Sequence, residues 1–162
     1  MRLVALALLL AVGLTGCATK YGPMRVSGGY SETQLDKYVY RVTFKGNGLI
    51  DRETVNDYAI LRCAELALEN GFRYFVVIDS NSYSKVDTNT TPVVSNTQYY
   101  QFGNQVQSQT YSYGGNTSTV EKPRATLTIA VLYEKPEKLF SYDAAFLSRS
   151  LREKYGLIPA QD

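Results

Sequence analysis

The chain has 162 residues, with seventeen Lys plus Arg against fifteen Asp plus Glu for a formal charge of +2. That length suits one domain with a real core, and the near-neutral charge leaves no strong field for nucleic acid or an acidic substrate. Fourteen Tyr stand beside no His and no Trp, and the lack of His removes the commonest general base and the commonest metal ligand together.

Met1 and Arg2 give a positive start, and residues 3–14 form an apolar run broken only by Gly13. A bilayer-spanning helix needs about 20 apolar residues, so this run is too short to span and has the proportions of a secretory leader. It ends in Leu14-Thr15-Gly16-Cys17, which resembles the lipobox of bacterial lipoproteins. The resemblance implies that residues 1–16 are a signal peptide, that the sulfur of Cys17 carries diacylglycerol, and that its new N-terminus is acylated, commonly with palmitate. In lipoproteins of Gram-negative bacteria an Asp at the next position often means inner-membrane retention, so the resemblance with Ala18 there points toward the outer membrane, facing the periplasm or exposed at the surface. With Cys17 occupied by lipid, Cys63 has no intrachain partner, and a lone thiol in an oxidising compartment is expected to be buried.

Residues 17–29 read as the lipidated Cys and a polar, Gly- and Pro-bearing tether. Residues 38–45 alternate, Tyr38, Tyr40, Val42 and Phe44 against Val39, Arg41, Thr43 and Lys45, which is a strand with one buried face. Gly46-Asn47-Gly48 stops it. A helix follows, capped by Asp51 or Thr54 and stopped at Asn70-Gly71. Its polar residues Arg62, Glu65 and Glu69 fall within about 60° of arc. The rest of its surface is apolar, including Cys63, so the helix is expected to be covered on more than one side. Residues 72–79 are a nearly continuous apolar run, the pattern of a buried strand. Residues 125–133 alternate over the longest strand. Ser141 is placed to cap a last helix with Ala144, Leu147, Leu151 and Tyr155 on its apolar side, while Arg149, Arg152 and Lys154 complement its dipole.

Between the second and third strands lie residues 80–122, of which twenty-four are Ser, Thr, Asn or Gln, five are Tyr, and only Lys85, Asp87, Glu121 and Lys122 are charged. So long a polar stretch reads as a mobile, functional insert. Tyr111-Ser112-Tyr113 before Gly114-Gly115-Asn116 suggests a hairpin closing on that turn. The expected fold is therefore α+β. It is a two-layer sandwich with a three-stranded, mainly antiparallel sheet in the chain order β-α-β-β-α, the third strand in the middle and both helices on one face. Residues 30–162 form a single domain containing the insert.

The blocks Gly29-Tyr30-Ser31-Glu32-Thr33-Gln34-Leu35-Asp36, Tyr40-Arg41-Val42-Thr43-Phe44-Lys45-Gly46-Asn47 and Asp57-Tyr58-Ala59-Ile60-Leu61-Arg62-Cys63-Ala64-Glu65, then Gly71-Phe72-Arg73-Tyr74-Phe75, resemble in order and spacing a family of small proteobacterial envelope lipoproteins. The likeness covers residues 29–79 and leaves the Tyr-rich insert outside. It implies an envelope location and a shared fold, and it brings no catalytic residues. Cys63 stands where that family is expected to carry Ala.

Catalytic chemistry finds little support. Without His, a nucleophile would need Lys or a carboxylate as its base, and Ser82-Tyr83-Ser84-Lys85 sits in the polar insert. Glu65 and Glu69 are a turn apart beside Arg62, which reads as a solvated ion-paired face rather than an acid/base pair. Asp79, Asn81 and Asp87 lack the spacing of a calcium loop, and Gly46-Asn47-Gly48 lacks the third Gly and the Lys of a phosphate loop. Glu32 and Asp36, with Ser31 and Thr33, read as turn and capping chemistry rather than a recognition patch. No enzyme activity, cofactor, metal or nucleic-acid partner is expected. The sequence points to a membrane-anchored envelope lipoprotein that works by structural or protein contact. The alternative is a module that binds glycan or cell wall through stacking Tyr side chains.

Overall fold

The structure is a computed structural model in which residues 18–157 are described; Cys17 and the signal peptide expected over 1–16 lie outside them. Among the described residues, seven strands and two helices follow in the order β1 (Gly29–Asp36), β2 (Val39–Lys45), α1 (Arg52–Glu69), β3 (Tyr74–Thr90), β4 (Val94–Phe102), β5 (Gln105–Tyr113), β6 (Thr117–Leu132), β7 (Tyr142–Asp143) and α2 (Ala144–Lys154). Two compact units result: Val86–Glu121 forms one, and the rest of the described chain, called the body here, forms the other.

The described chain is mostly β, and the body holds an antiparallel sheet of five strands in the order β1-β2-β6-β3-β7; both findings correct the α+β, three-stranded sandwich expected from the sequence. The third expected strand, β6, does lie between the other two, but β1 and β7 extend the sheet on either side. β1 is an edge strand with a mostly exposed, polar sequence, so it shows no two-residue apolar rhythm. β7 is only two residues, Tyr142 and Asp143, paired with Tyr74 and Phe75.

The core follows from strand alternation. Tyr40, Val42 and Phe44 of β2 face Ile129, Leu127 and Ala125 of β6 in register, and all six are buried. Against this face pack Val55, Tyr58, Ala59, Cys63, Ala64, Leu66 and Ala67 of α1, with Ala144 from α2. Burying a side chain of this kind is worth about 1.5–3 kcal/mol, so this two-layer contact is the main source of the body's stability. Asp51 is the N-cap of α1, its carboxylate accepting from Thr54 N at 2.7 Å. Gly71 ends the helix with φ +79°, a conformation that costs a side-chain-bearing residue about 1 kcal/mol or more. The cap of α2 is Asp143, which accepts from Phe146 N at 3.0 Å, not Ser141 as the sequence suggested.

Residues 18–29, read as a tether, are bound to the body. Thr19 is buried, donates to Ser27 O at 2.5 Å and accepts from Asn47 N at 2.9 Å. The Tyr21 ring lies 5.3–6.4 Å from those of Tyr30, Phe44 and Tyr58.

Val86–Glu121 is a two-stranded ribbon, where the sequence suggested a hairpin within a largely mobile insert. β4 and β5 pair from Val94↔Tyr113 to Phe102↔Gln105 without interruption. The hairpin closes on Gly103-Asn104, where Gly103 has φ +60° and no non-Gly residue is positive, the pattern of a two-residue turn with Gly first. Gly114-Gly115-Asn116, expected to be that turn, instead sits at the break opposite Pro92 and Val93. There a Cβ on Gly114 would lie 2.1 Å from Pro92 O. Polarity did not prevent strand formation, because hydroxyls pair across the ribbon: Ser95 with Ser112 at 2.9 Å, Thr97 with Thr110 at 2.9 Å, and Thr90 with Thr117 at 3.2 Å.

Candidate functional site

Arg62 is the most constrained polar residue of the body. It projects from the middle of α1, 6% exposed, and its guanidinium meets three carboxylates. Nε and Nη2 donate to Glu32 at 2.9 and 3.0 Å, while Nη1 and Nη2 donate to Glu69 at 2.6 and 2.8 Å. Nη1 is 3.5 Å from Glu65. Glu65 in turn accepts from Arg152 of α2 at 2.5 Å and from the Tyr21 hydroxyl. The Tyr30 ring covers the guanidinium at 4.6 Å. Alternation in β1 puts Tyr30, Glu32 and Gln34 on one face, and β1 pairs Glu32 with Val42 of the core row. That register delivers Glu32 to the helix.

The solvated arc expected for Arg62, Glu65 and Glu69 is thereby corrected: Arg62 and Glu65 are buried. Glu32 is a β1 side chain in an ion pair rather than turn or capping chemistry. Asp36 keeps a local role, accepting from Lys37 N at 2.7 Å. Burial alone would lower the Arg62 pKa, but its hydrogen bonds to Glu32 and Glu69 outweigh this and hold it above the usual value. Burial, then the adjacent Glu65 charge, raises Tyr21 far above an ordinary phenol. Each guanidinium nitrogen of Arg62 has an acceptor, so the chemistry of the cluster is that of a clamp joining β1, α1, α2 and the N-terminal segment.

The remaining candidates are scattered. Cys63 is fully buried, and burial pushes its thiol well above the ordinary range, so it is not a nucleophile. Ser82 and Lys85 both lie on β3, where a separation of three puts side chains on opposite faces; Ser82 Oγ bonds Asn56 Oδ1 at 2.7 Å instead. Asp79 belongs to the body and Asp87 to the ribbon, and no cluster of three metal-ligating side chains exists among the described residues. Gly46 is a packing glycine: a Cβ there would lie 2.4 Å from Ile50 Cγ2 and 2.9 Å from Val55 Cγ2. Arg152 and Lys154 serve α1 more than their own dipole, with Lys154 2.8 Å from Glu53 and 2.7 Å from Asp57.

The Tyr residues of the insert are brought together by the ribbon. Register places Val94, Asn96, Gln98, Tyr100 and Phe102 on the same face as Tyr113, Tyr111, Gln109, Gln107 and Gln105. The other face carries Ser95, Thr97, Tyr99 and Gln101 against Ser112, Thr110, Ser108 and Val106. One face is thus aromatic and amide-bearing, the other mostly hydroxylic, and every residue of both strands is exposed. At the turn, Phe102, Gln105, Val106 and Gln107 border an open concavity of about 510 Å³. The sequence showed the Tyr content but not the sorting by face, which depends on where the hairpin turns. No family model, curated protein or solved structure matches this chain.

Proposed function

We propose that this chain is a lipid-anchored envelope protein that acts by contact rather than catalysis, with Val86–Glu121 as its contact surface. The observation that carries the reading is a ribbon with Tyr99, Phe102, Val106, Tyr111 and Tyr113 all more than half exposed and no buried face of its own. An isolated two-stranded hairpin is marginally stable in water, and exposed aromatics, with Phe102, Tyr111 and Tyr113 on one face and Tyr99 on the other, are what a partner would cover. The anchor rests on the lipobox-like Leu14-Thr15-Gly16-Cys17, and the likeness to proteobacterial envelope lipoproteins, with Ala18, favours the outer membrane facing the periplasm. Because Thr19 is held against the body, an acylated Cys17 would keep the body within about 7 Å of the anchor atom.

A second reading has its own observation. Tyr100, Phe102, Tyr111 and Tyr113 interleave with Asn96, Gln98, Gln105, Gln107 and Gln109 on one face, which is the pairing of ring platforms with amide donors and acceptors that a glycan surface uses. One experiment covers both. The full-length protein and a version lacking Val86–Glu121 are crosslinked in cells and tested for retention on purified cell-wall material. A protein neighbour lost with the ribbon supports contact with protein, and cell-wall retention lost with it supports glycan. Identical neighbours and retention in the two versions overturn the contact role. Incorporation of labelled fatty acid, expected in the wild type and absent in Cys17→Ser, tests the anchor separately; equal label sinks it.

A further inference from the structure

The open face of the body sheet ends in a group of cations that the contact reading does not use. β2 and β6 place Lys45 directly opposite Arg124, and like charges in that position are destabilising. Lys122 lies two residues from Arg124 on β6 and so shares its face. β3 adds Tyr83 and Lys85. Phe75 and Val77 of β3 pack with the core, whereas Ser82 and Ser84 bond Asn56 and Arg52 of the helical layer. The alternation therefore slips by one residue between them, as at a bulge, and this turns Tyr83 and Lys85 to the open face. Arg124 Nη1 donates to the Tyr83 hydroxyl at 3.1 Å.

Lys45, Gly46, Tyr83, Pro123 and Arg124 are among the residues that line a pocket of about 220 Å³. A second observation points to a ligand: Arg124 Nε is buried and has no acceptor within the protein. A buried donor left unmet is costly, and a guanidinium offers its Nε and Nη groups as a fork matched to an oxyanion. The pocket also has a definite neighbour. Thr19 accepts from Asn47 N, and a Cβ on Gly28 would lie 2.2 Å from Lys45 O and 2.9 Å from Thr19 Cγ2. The wall formed by Lys45 and Gly46 thus adjoins a residue two positions from Cys17.

We infer that this pocket binds a phosphate-bearing anion, held by Lys45 and Arg124, with Tyr83 and Pro123 as walls. A lipid headgroup at the bilayer surface and a free phosphate ester share this chemistry; only the headgroup source rests on the lipid-anchor reading. The test uses the full chain in neutral detergent. Inorganic phosphate is titrated against chloride at matched ionic strength by calorimetry, and micelles containing phosphatidylglycerol are compared with micelles containing phosphatidylcholine. Arg124→Gln and the exposed Lys45→Gln should each weaken binding about tenfold, whereas Lys154→Gln, far along the other layer in a helical ion pair, should leave it unchanged. Binding of phosphate alone assigns a small-anion site, and binding confined to phosphatidylglycerol assigns the headgroup. No binding in either arm, or equal binding by wild type, Lys45→Gln and Arg124→Gln, overturns the site. Retained binding in a Cys17→Ser protein that takes up no less fatty acid than wild type would remove the anchor reading and leave the site standing.

Discussion

At the scale of single residues, the Arg62 cluster sets the energetics of the polar interior. Its partners are not equal. The Glu32 and Glu69 side chains are 35% and 54% exposed, so water screens those pairs and each is worth little by itself. Glu65 is 10% exposed, and removing its neighbour leaves a buried carboxylate with less compensation. Breaking a buried pair from one side costs about 3–5 kcal/mol; because Arg152 still reaches Glu65 at 2.5 Å, Arg62→Ala should fall near the lower end, at about 3 kcal/mol. Urea unfolding would measure it, and a loss under about 1 kcal/mol would show the cluster to be solvated after all. Arg62→Lys should recover only part, since an ammonium cannot hold Glu32 and Glu69 by two forks at once. This cluster was not legible in the sequence. A helical projection places Arg62, Glu65 and Glu69 together on a polar arc, but that Glu32, Tyr21 and Arg152 close over the arc depends on the register of an edge strand and the docking of a second helix.

At the scale of elements, the legible ones were those with an apolar face. β2, α1, the start of β3 and the end of β6 all bury one, and their alternation or wide apolar arc is the imprint of the core they share. The polar ends of β3 and β6 carry no such imprint, so the apolar run ends at residue 79 while the strand runs on to Thr90. Capping was legible where a carboxylate precedes the helix. Asp51, one of two candidates, accepts from both Thr54 N and Thr54 Oγ1, at 2.7 and 2.8 Å. These hydrogen bonds hold its carboxyl below the ordinary value of 3.8. A depressed pKa contributes stability that is present above the ordinary value and is lost as pH falls through the lowered one. Asp51→Ala should therefore cost about 1 kcal/mol near neutral pH, and the gap between the two proteins should close in strong acid. Thermal melts at a series of pH values would measure this; a constant gap down to pH 2 would mean that the cap acts through the unfolded chain instead.

At the scale of the whole molecule, the division at Val86 and Glu121 decides what can be removed. The ribbon buries almost nothing: apart from a half-buried Asp87, all its residues are exposed. The core cluster, by contrast, lies wholly in the rest of the described chain. Ordering each backbone residue costs about 1–2 kcal/mol, and the ribbon offsets this only with ladder hydrogen bonds and paired hydroxyls on an exposed surface. Composition already separated a core-forming part from a polar part, but it placed the cut at residue 80, inside β3, because a strand without an apolar face looks like a loop. The structural cut lies later. Tyr83, Lys85, Lys122 and Arg124 belong to the body, where Tyr83 bonds Arg124, so a deletion from Tyr83 would remove part of its sheet. Replacing only Val86–Glu121 by a short Gly-Ser turn leaves β3 and β6 as neighbours in the sheet, and strands paired antiparallel can be joined by a tight hairpin. The shortened protein should melt cooperatively within a few degrees of the parent, since a change of about 1 kcal/mol moves the midpoint of a domain this size by only about 2–8 °C. Loss of the cooperative transition would instead mean that the ribbon stabilises the body through contacts along β3 and β6, and that the two units fold as one.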